Sequence, residues 1–278
     1  MKFGQLRLAA ATVLVSAVLT SGVTVLVASS AGASGAPSYT CSGGVIPPGN
    51  YGPTTITGFC QMVGTYSFKG GLTVASGGAL DAADLSGAGA GCDVFVSVSG
   101  GIQVQPGAVL YFGNGPGTGC PNSNNVVNGG IAAVNGDTVV IHGTTINGGF
   151  SANGGGPGNC NPSPAAPFGS YTNIEDSTVN GLTSVSNLNT CWIGIIRNQL
   201  HGGLVVNNNE SSDTDAIEIN SNLIKGGLSC AGNFLNPAVT PDPNPLAPNG
   251  VPTNLSDNML PPHPNSVTGA ETGQCEGL

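Results

Sequence analysis

A glycine-led repeat of seven units is the feature that most constrains how this chain can fold. The unit first appears as Gly71-Leu72-Thr73-Val74 and returns as Gly101-Ile102-Gln103-Val104 and Gly130-Ile131-Ala132-Ala133. Four later units begin with the same four-residue head, a glycine and an apolar residue followed by two more residues. They are Gly149-Phe150-Ser151-Ala152, Gly181-Leu182-Thr183-Ser184, Gly203-Leu204-Val205-Val206 and Gly227-Leu228-Ser229-Cys230. Successive heads are 19 residues apart at the closest (Gly130 to Gly149) and 32 at the widest (Gly149 to Gly181). A solenoid tolerates such variation, because extra residues leave one rung as a loop.

Each unit alternates apolar and small polar residues, which is the pattern of a strand with one buried face. Another apolar residue precedes the glycines, as in Ile146-Asn147-Gly148-Gly149 and Leu200-His201-Gly202-Gly203. Glycine allows a sharp bend between two strands, so that each repeat can return above the one before it. The sequence therefore predicts an all-β, right-handed parallel β-helix (β-solenoid) with irregular loops, in which Leu72, Ile102 and Ile131 stack inward. A β-sandwich of short strands is the alternative that turn density alone allows.

Composition agrees with an ordered fold that is rich in turns. Hydrophobic residues make up 39% of the chain, but only 5% are aromatic and 7% charged, and there are 46 Gly and 20 Pro. Such a chain has to bury small aliphatic side chains, and its positive mean hydropathy argues against disorder.

The first 36 residues have the layout of a secretory signal peptide. Lys2 and Arg7 precede an apolar stretch that ends in small residues, which favours cleavage after Ala33 or Ala36. An uncleaved N-terminal anchor is the alternative, and it is the only membrane contact that we expect. We divide the chain into the signal peptide or anchor (1–36), a β-helix domain (37–233) and a Pro/Asn-rich C-terminal strap (234–278) that a disulfide closes. The prediction is a secreted or cell-surface protein.

The negative net charge and the cysteines limit which partners and which cellular compartment are expected. Beyond residue 36 only Lys69, Arg197 and Lys225 oppose the 14 acids, so nucleic acid is a poor partner. The eight cysteines are even in number and widely spaced, which predicts disulfides rather than a zinc site. Their similar positions on successive units favour sequential pairing, in which Cys41 bonds Cys60, Cys92 bonds Cys120, Cys160 bonds Cys191 and Cys230 bonds Cys275.

The C-terminal part resembles a known group of proteins. The segment Asn222-Leu223-Ile224-Lys225-Gly226-Gly227-Leu228-Ser229-Cys230, followed by a Pro-rich stretch and Gly273-Gln274-Cys275-Glu276-Gly277-Leu278, is similar to the end of exported actinobacterial parallel β-helix proteins. Those proteins resemble adhesins and pectate-lyase-like solenoids and are of uncharacterised function. The resemblance supports the fold and the last disulfide, and it implies no catalytic residues.

Three acids are concentrated in one short segment. Asp213, Asp215 and Glu218 lie in one strand and the loop before it, where Ile217 and Ile219 should point inward and Glu218 should face solvent. Paired carboxylates can catalyse glycoside hydrolysis or bind Ca²⁺. However, the order in which His201 and Lys225 flank these acids does not match that of β-helical polygalacturonases. We therefore expect a solvated acidic loop, with no catalysis, no cofactor and no metal. The alternative is a polysaccharide lyase or glycoside hydrolase of β-helix type that uses Asp213 and Asp215.

Two columns of polar residues recur at fixed positions in the units. Asn147, Asn180, His201 and Lys225 should share one outward column, where stacked polar side chains can line a ligand groove. Thr144, Asp176, Asn198 and Asn222 should form a structural ladder at the turns. The predicted function is a secreted or cell-surface structural and adhesive β-solenoid whose partner is an extracellular polysaccharide or the cell envelope. The weak ligand-binding candidates are Asp213, Asp215, Glu218, His201 and Lys225.

Overall fold

The fold is a parallel β-helix, as a computed structural model of the chain shows. The structure describes residues 35–83, 92–115, 120–156, 158, 160, 169–213, 217–235 and 264–278. The described residues form only strands and irregular segments, so no helix among them is long and apolar enough to cross a membrane. The predicted signal peptide lies outside these residues, apart from its last two positions.

Each of the first eight rungs contributes one short strand to each of three parallel sheets. The first three rungs contain β1 (Tyr39–Cys41), β2 (Gly44–Ile46), β3 (Gly49–Tyr51), β4 (Thr54–Ile56), β5 (Phe59–Met62), β6 (Thr65–Phe68), β7 (Leu72–Val74), β8 (Ala79–Ala82) and β9 (Phe95–Val98). The next three contain β10 (Ile102–Val104), β11 (Val109–Phe112), β12 (Asn125–Val127), β13 (Ile131–Gly136), β14 (Thr138–His142), β15 (Thr144–Ile146), β16 (Phe150–Gly155), β17 (Tyr171–Glu175) and β18 (Thr178–Val179).

The later rungs add a short extra strand at one corner. They contain β19 (Thr183–Ser186), β20 (Asn189–Thr190), β21 (Trp192–Ile196), β22 (Gln199–Leu200), β23 (Leu204–Asn207), β24 (Glu210–Ser211), β25 (Ile217–Asn220), β26 (Leu223–Ile224), β27 (Leu228–Ala231), β28 (Phe234–Leu235), β29 (Ser266–Val267) and β30 (Glu271–Gly273). Residues on both sides of the Pro-rich stretch thus belong to the solenoid, because β28 pairs with β24, β29 with β26 and β30 with β27. The strap predicted for 234–278 could therefore apply only to residues 236–263, which lie outside the described residues.

The three sheets are long and purely parallel. Sheet A has ten strands in the order β1-β4-β7-β10-β13-β16-β19-β23-β27-β30, and sheet B has eight in the order β2-β5-β8-β11-β14-β17-β21-β25. Sheet C has nine strands, from β3 to β29, and β20, β24 and β28 form a small sheet of their own.

The core is a set of stacked aliphatic columns, as the repeat predicts. Leu72 pairs with Ile102, Ile102 pairs with Ile131, and all three are fully buried. Fully burying such a side chain stabilises the fold by about 1.5–3 kcal/mol. At the N-terminal end the rings of Tyr51 and Phe68 stack 5.6 Å apart. Two rungs, β1 to β6, precede the first predicted unit.

One unit of the predicted register is shifted by a residue. Thr183, not Leu182, pairs with Phe150 and is buried, whereas Leu182 is 37% exposed. The reason is that Leu182 takes the place of the second glycine at this corner, opposite Gly149, and the backbone N–H of Phe150 donates to its carbonyl.

All four predicted disulfides are present. Cys41 is bonded to Cys60 and Cys92 to Cys120, while the other two bonds join Cys160 to Cys191 and Cys230 to Cys275. Each joins neighbouring rungs, and closing such a loop contributes about 3–4 kcal/mol in the chain-entropy model.

The corner between sheets C and A explains the glycine signature. A Cβ added to Gly148, the first glycine of one corner, would lie 2.6 Å from the Cα of Gly130. A Cβ added to Gly202 would lie 2.3 Å from the carbonyl carbon of Gly181. The backbones of successive rungs therefore touch here, and no other residue fits without displacing them.

Candidate functional site

The predicted outward column is present as a continuous chain of hydrogen bonds. Asn147 donates from Nδ2 to Oδ1 of Asn128 over 2.9 Å, and Asn180 donates likewise to Asn147 over 2.9 Å. His201 Nδ1 lies 2.8 Å from Oδ1 of Asn180, and Lys225 Nζ lies 3.3 Å from Nε2 of His201. We call these five residues the polar column. The predicted members Asn147, Asn180, His201 and Lys225 are thus brought together, and the sequence analysis missed Asn128.

All bonds of the polar column run in one direction. Oδ1 of Asn180 can only accept, so His201 donates from Nδ1 when its ring is neutral. Its Nε2 then accepts from the Lys225 ammonium. Each asparagine in the middle of the column uses one N–H and one oxygen lone pair for its neighbours, which leaves one of each for a ligand.

The polar column lies on an exposed edge of the solenoid. Asn128, Asn147, Asn180 and Lys225 are exposed and His201 is partly exposed. Each is followed by glycine, and in every case except Asn180, which Gly181 and Leu182 follow, by a pair of glycines. This edge therefore presents hydrogen-bonding side chains on five successive rungs.

The second predicted column is buried and contains Ser177 instead of Asp176. The backbone N–H of Thr144 donates to Ser177 Oγ over 3.1 Å, and that of Ser177 donates to Asn198 Oδ1 over 3.0 Å. The N–H of Asn198 donates in turn to Asn222 Oδ1 over 2.9 Å. This column is structural, as predicted, because its side chains satisfy the backbone where one rung turns into the next.

Asp176 stands one residue earlier, at the bend itself, and there it forms part of an ion cluster that sequence reasoning missed. Arg197 donates from Nε to Asp176 Oδ1 over 2.8 Å and from Nη2 to Oδ2 over 3.0 Å. Arg197 Nη2 also contacts Glu175. Both Asp176 and Arg197 have a left-handed backbone, with φ of 52° and 58°. Had Ser177 been aligned with Asn198, Arg197 would have been placed directly above Asp176.

The ion cluster is mostly buried, and in it one guanidinium faces two carboxylates. Glu175 accepts from Asn173 Nδ2 over 2.6 Å, and His142 Nδ1 lies 3.9 Å from its Oε2. His142, Glu175 and Asp176 are close enough to share a cation, with ligand atoms within 4.8 Å of one another. Arg197 already contacts both carboxylates, so a metal ion would have to compete with a guanidinium.

The three predicted acids do not share one exposed surface. Asp213 is partly exposed, and its Oδ2 lies 3.9 Å from Sγ of Cys191, next to a disulfide. Asp215 lies outside the described residues. The expectation that Glu218 faces solvent is wrong, since it is 7% exposed on sheet B.

Glu218 is buried because sheet B is covered on its outer face too. Every residue of β11, β14 and β17 is buried, whichever way it points. Glu218 pairs with Gly194, over which the indole of Trp192 lies, as a Cβ there would be 2.2 Å from Cη2 of Trp192.

Burial raises several pKa values on this side of the molecule. Burial, and to a lesser extent the charge of Asp213, raises the pKa of Tyr171 to about 12. Burial likewise raises the pKa of Asp137, whose Oδ1 has no hydrogen-bond partner in the described part of the chain. Burial also raises the pKa of Tyr111, with smaller contributions from Asp137 and Asp81.

Comparison of the chain with protein-family models, curated proteins and solved structures finds no match.

Proposed function

We propose that this protein is an exported structural β-solenoid of the cell surface or envelope, and that it binds polysaccharide along the polar column. Four disulfides support an oxidising, extracellular environment. The stacked rungs support a structural role, because each is held by its neighbours along a continuous core.

The polar column is the observation that carries the binding proposal. A polysaccharide presents hydroxyl groups at regular intervals, and each hydroxyl both donates and accepts. The spare N–H and lone pair of Asn147 and Asn180 recur from rung to rung, about 4.8 Å apart. An extended chain of sugars can therefore make the same contacts repeatedly, which a single asparagine on a surface cannot offer.

A glycan array, followed by titration of the retained polysaccharide, tests the proposal. We expect Asn147→Ala combined with Asn180→Ala to weaken binding at least tenfold, which corresponds to about 1.4 kcal/mol. The matched control is Asn50→Ala, which removes an exposed asparagine on sheet C that is not part of the polar column. Retention of no polysaccharide, or equal loss in the control, would refute the proposal.

A further inference from the structure

The outer face of sheet A carries no charge on any of its ten strands. Its middle column consists of small or neutral side chains that pair from rung to rung: Thr40, Thr55, Thr73, Gln103, Ala132, Ser151, Ser184, Val205, Ser229 and Thr272. The column on one side is mostly glycine, and that on the other runs through Val134, Asn153, Ser186 and Asn207. We call this surface the neutral face.

The acids among the described residues lie elsewhere. Asp81, Glu175 and Glu218 are on sheet B, and Glu210 is on the small sheet. Glu271 is on sheet A, but it pairs with Leu228 in an inward column at the end of the solenoid. The neutral face is therefore a wide surface on which two copies of an acidic molecule can meet without bringing carboxylates together.

Two of the exposed large hydrophobic side chains flank the middle of the neutral face. Val134 is 50% exposed and Leu182 is 37% exposed. They lie on the rungs below and above Ser151, since Val134 pairs with Asn153 and Leu182 lies opposite Gly149. Contact with a partner would remove their apolar surface from water.

The size of the face fits a stable dimer. The ten strands span about 43 Å at about 4.8 Å per step, and the five residues from one flanking column to the other span about 16 Å at about 3.3 Å per residue, which gives about 700 Å² per copy. Two copies would bury about 1,400 Å², within the range of about 1,200–2,000 Å² of standard protein interfaces. Small side chains also let two sheets approach closely over their whole length.

We infer that the neutral face binds a second copy of this chain, giving a two-fold symmetric dimer in which the two A sheets pack face to face. Symmetric dimers join the same patch on both subunits, and the fully buried part of such interfaces is depleted in charge. The neutral face meets both requirements, and the polar column at its edge stays open to solvent.

Sedimentation velocity of purified protein expressed from the full chain, over roughly two decades of concentration, tests this inference. We expect a dimer, and we expect Ser151→Asp to weaken association at least a hundredfold because it places like charges near the centre of the contact. A second variant, Leu182→Asp, changes an exposed side chain that the core does not need, and it should act in the same direction.

The matched control is Thr145→Asp, which introduces the same charge on the outer face of sheet C. It should leave the dimer intact, and circular dichroism should show all three variants folded. A wild-type protein that stays monomeric, or a dimer that resists both Ser151→Asp and Leu182→Asp, would overturn the inference. Neither result concerns polysaccharide binding, because the tests of the two proposals change different residues.

Discussion

At the scale of single residues, asparagine has two distinct uses in this molecule. In the polar column it is exposed and bonds to other side chains. In the buried column, Asn198 accepts from the N–H of Ser177 and donates from Nδ2 to the carbonyl of Ile174 over 2.7 Å. The second use is structural, because it satisfies backbone groups that no strand partner reaches.

The two uses predict different costs of substitution. Asn198→Ala leaves a buried N–H and a buried carbonyl without partners, so it should lower the free energy of unfolding by about 2–4 kcal/mol. Asn180→Ala, in the exposed column, should cost less than about 1 kcal/mol because water replaces the lost bonds. Denaturant titration of both variants measures the difference, and equal costs would contradict the distinction.

Asp137 predicts a pH dependence of stability. Burial raises its pKa in the folded chain above the ordinary value of 3.8, so the folded state holds the proton more tightly than the unfolded state. Below pH 3.8 both states are protonated, and stability is lost as the pH rises through that value toward the raised pKa. Asp137→Asn removes the charge, and it should therefore raise the melting temperature at pH 7.

The gain from Asp137→Asn should shrink as the pH falls below 3.8. Melting curves from pH 3 to pH 7 measure this, with the exposed Asp93→Asn as the control for a general loss of negative charge. A lower melting temperature of Asp137→Asn at pH 7 would show that its carboxylate stabilises the fold.

At the scale of the rung, each element is packed mainly against the rung before and the rung after it. The rung from Ile131 to Gly149 contains no cysteine, and all of its residues are described. Ile131 pairs with Ile102 on one side and with Phe150 on the other. Removing the whole rung would therefore place Phe150 directly on Ile102 with every column still in phase.

Deletion of residues 131–149 should accordingly leave a folded β-helix that unfolds at a somewhat lower temperature. Deletion of residues 131–140 removes fewer residues but puts the columns out of phase, so it should prevent cooperative folding. Circular dichroism and thermal melting of the two proteins distinguish them. If the shorter deletion proved the more stable, the rung would not be the structural unit.

At the scale of the whole molecule, the sequence predicts the parallel β-helix and all four disulfides, because the repeat sets both the strand phase and the cysteine positions. It misses the first two rungs, whose corner reads Gly52-Pro53 and lacks the glycine pair. The predicted register is wrong by one residue at Leu182, where a side chain replaces the second glycine.

The candidate site was harder to predict, for physical reasons that differ by residue. The polar column follows from strand phase alone, so four of its five members could be identified from their spacing. Predicting the ion pair between Arg197 and Asp176 requires an alignment of successive rungs that is correct to one residue. The burial of Glu218 depends on what covers the outer face of sheet B, and no periodicity in one strand reports what lies above it.

The glycine corner beside the polar column also affects how readily the asparagines of the column deamidate. Asn128, Asn147 and Asn180 each precede a glycine, and in a loose chain such pairs deamidate when the glycine nitrogen attacks the asparagine side chain and ammonia leaves. Here the N–H of Gly148 donates to Gly129 and that of Gly181 donates to Gly148, each over 2.9 Å. The attack would require the backbone to leave its rung. The fold therefore protects these asparagines, and deamidation of an unfolded molecule would add negative charges along the polar column.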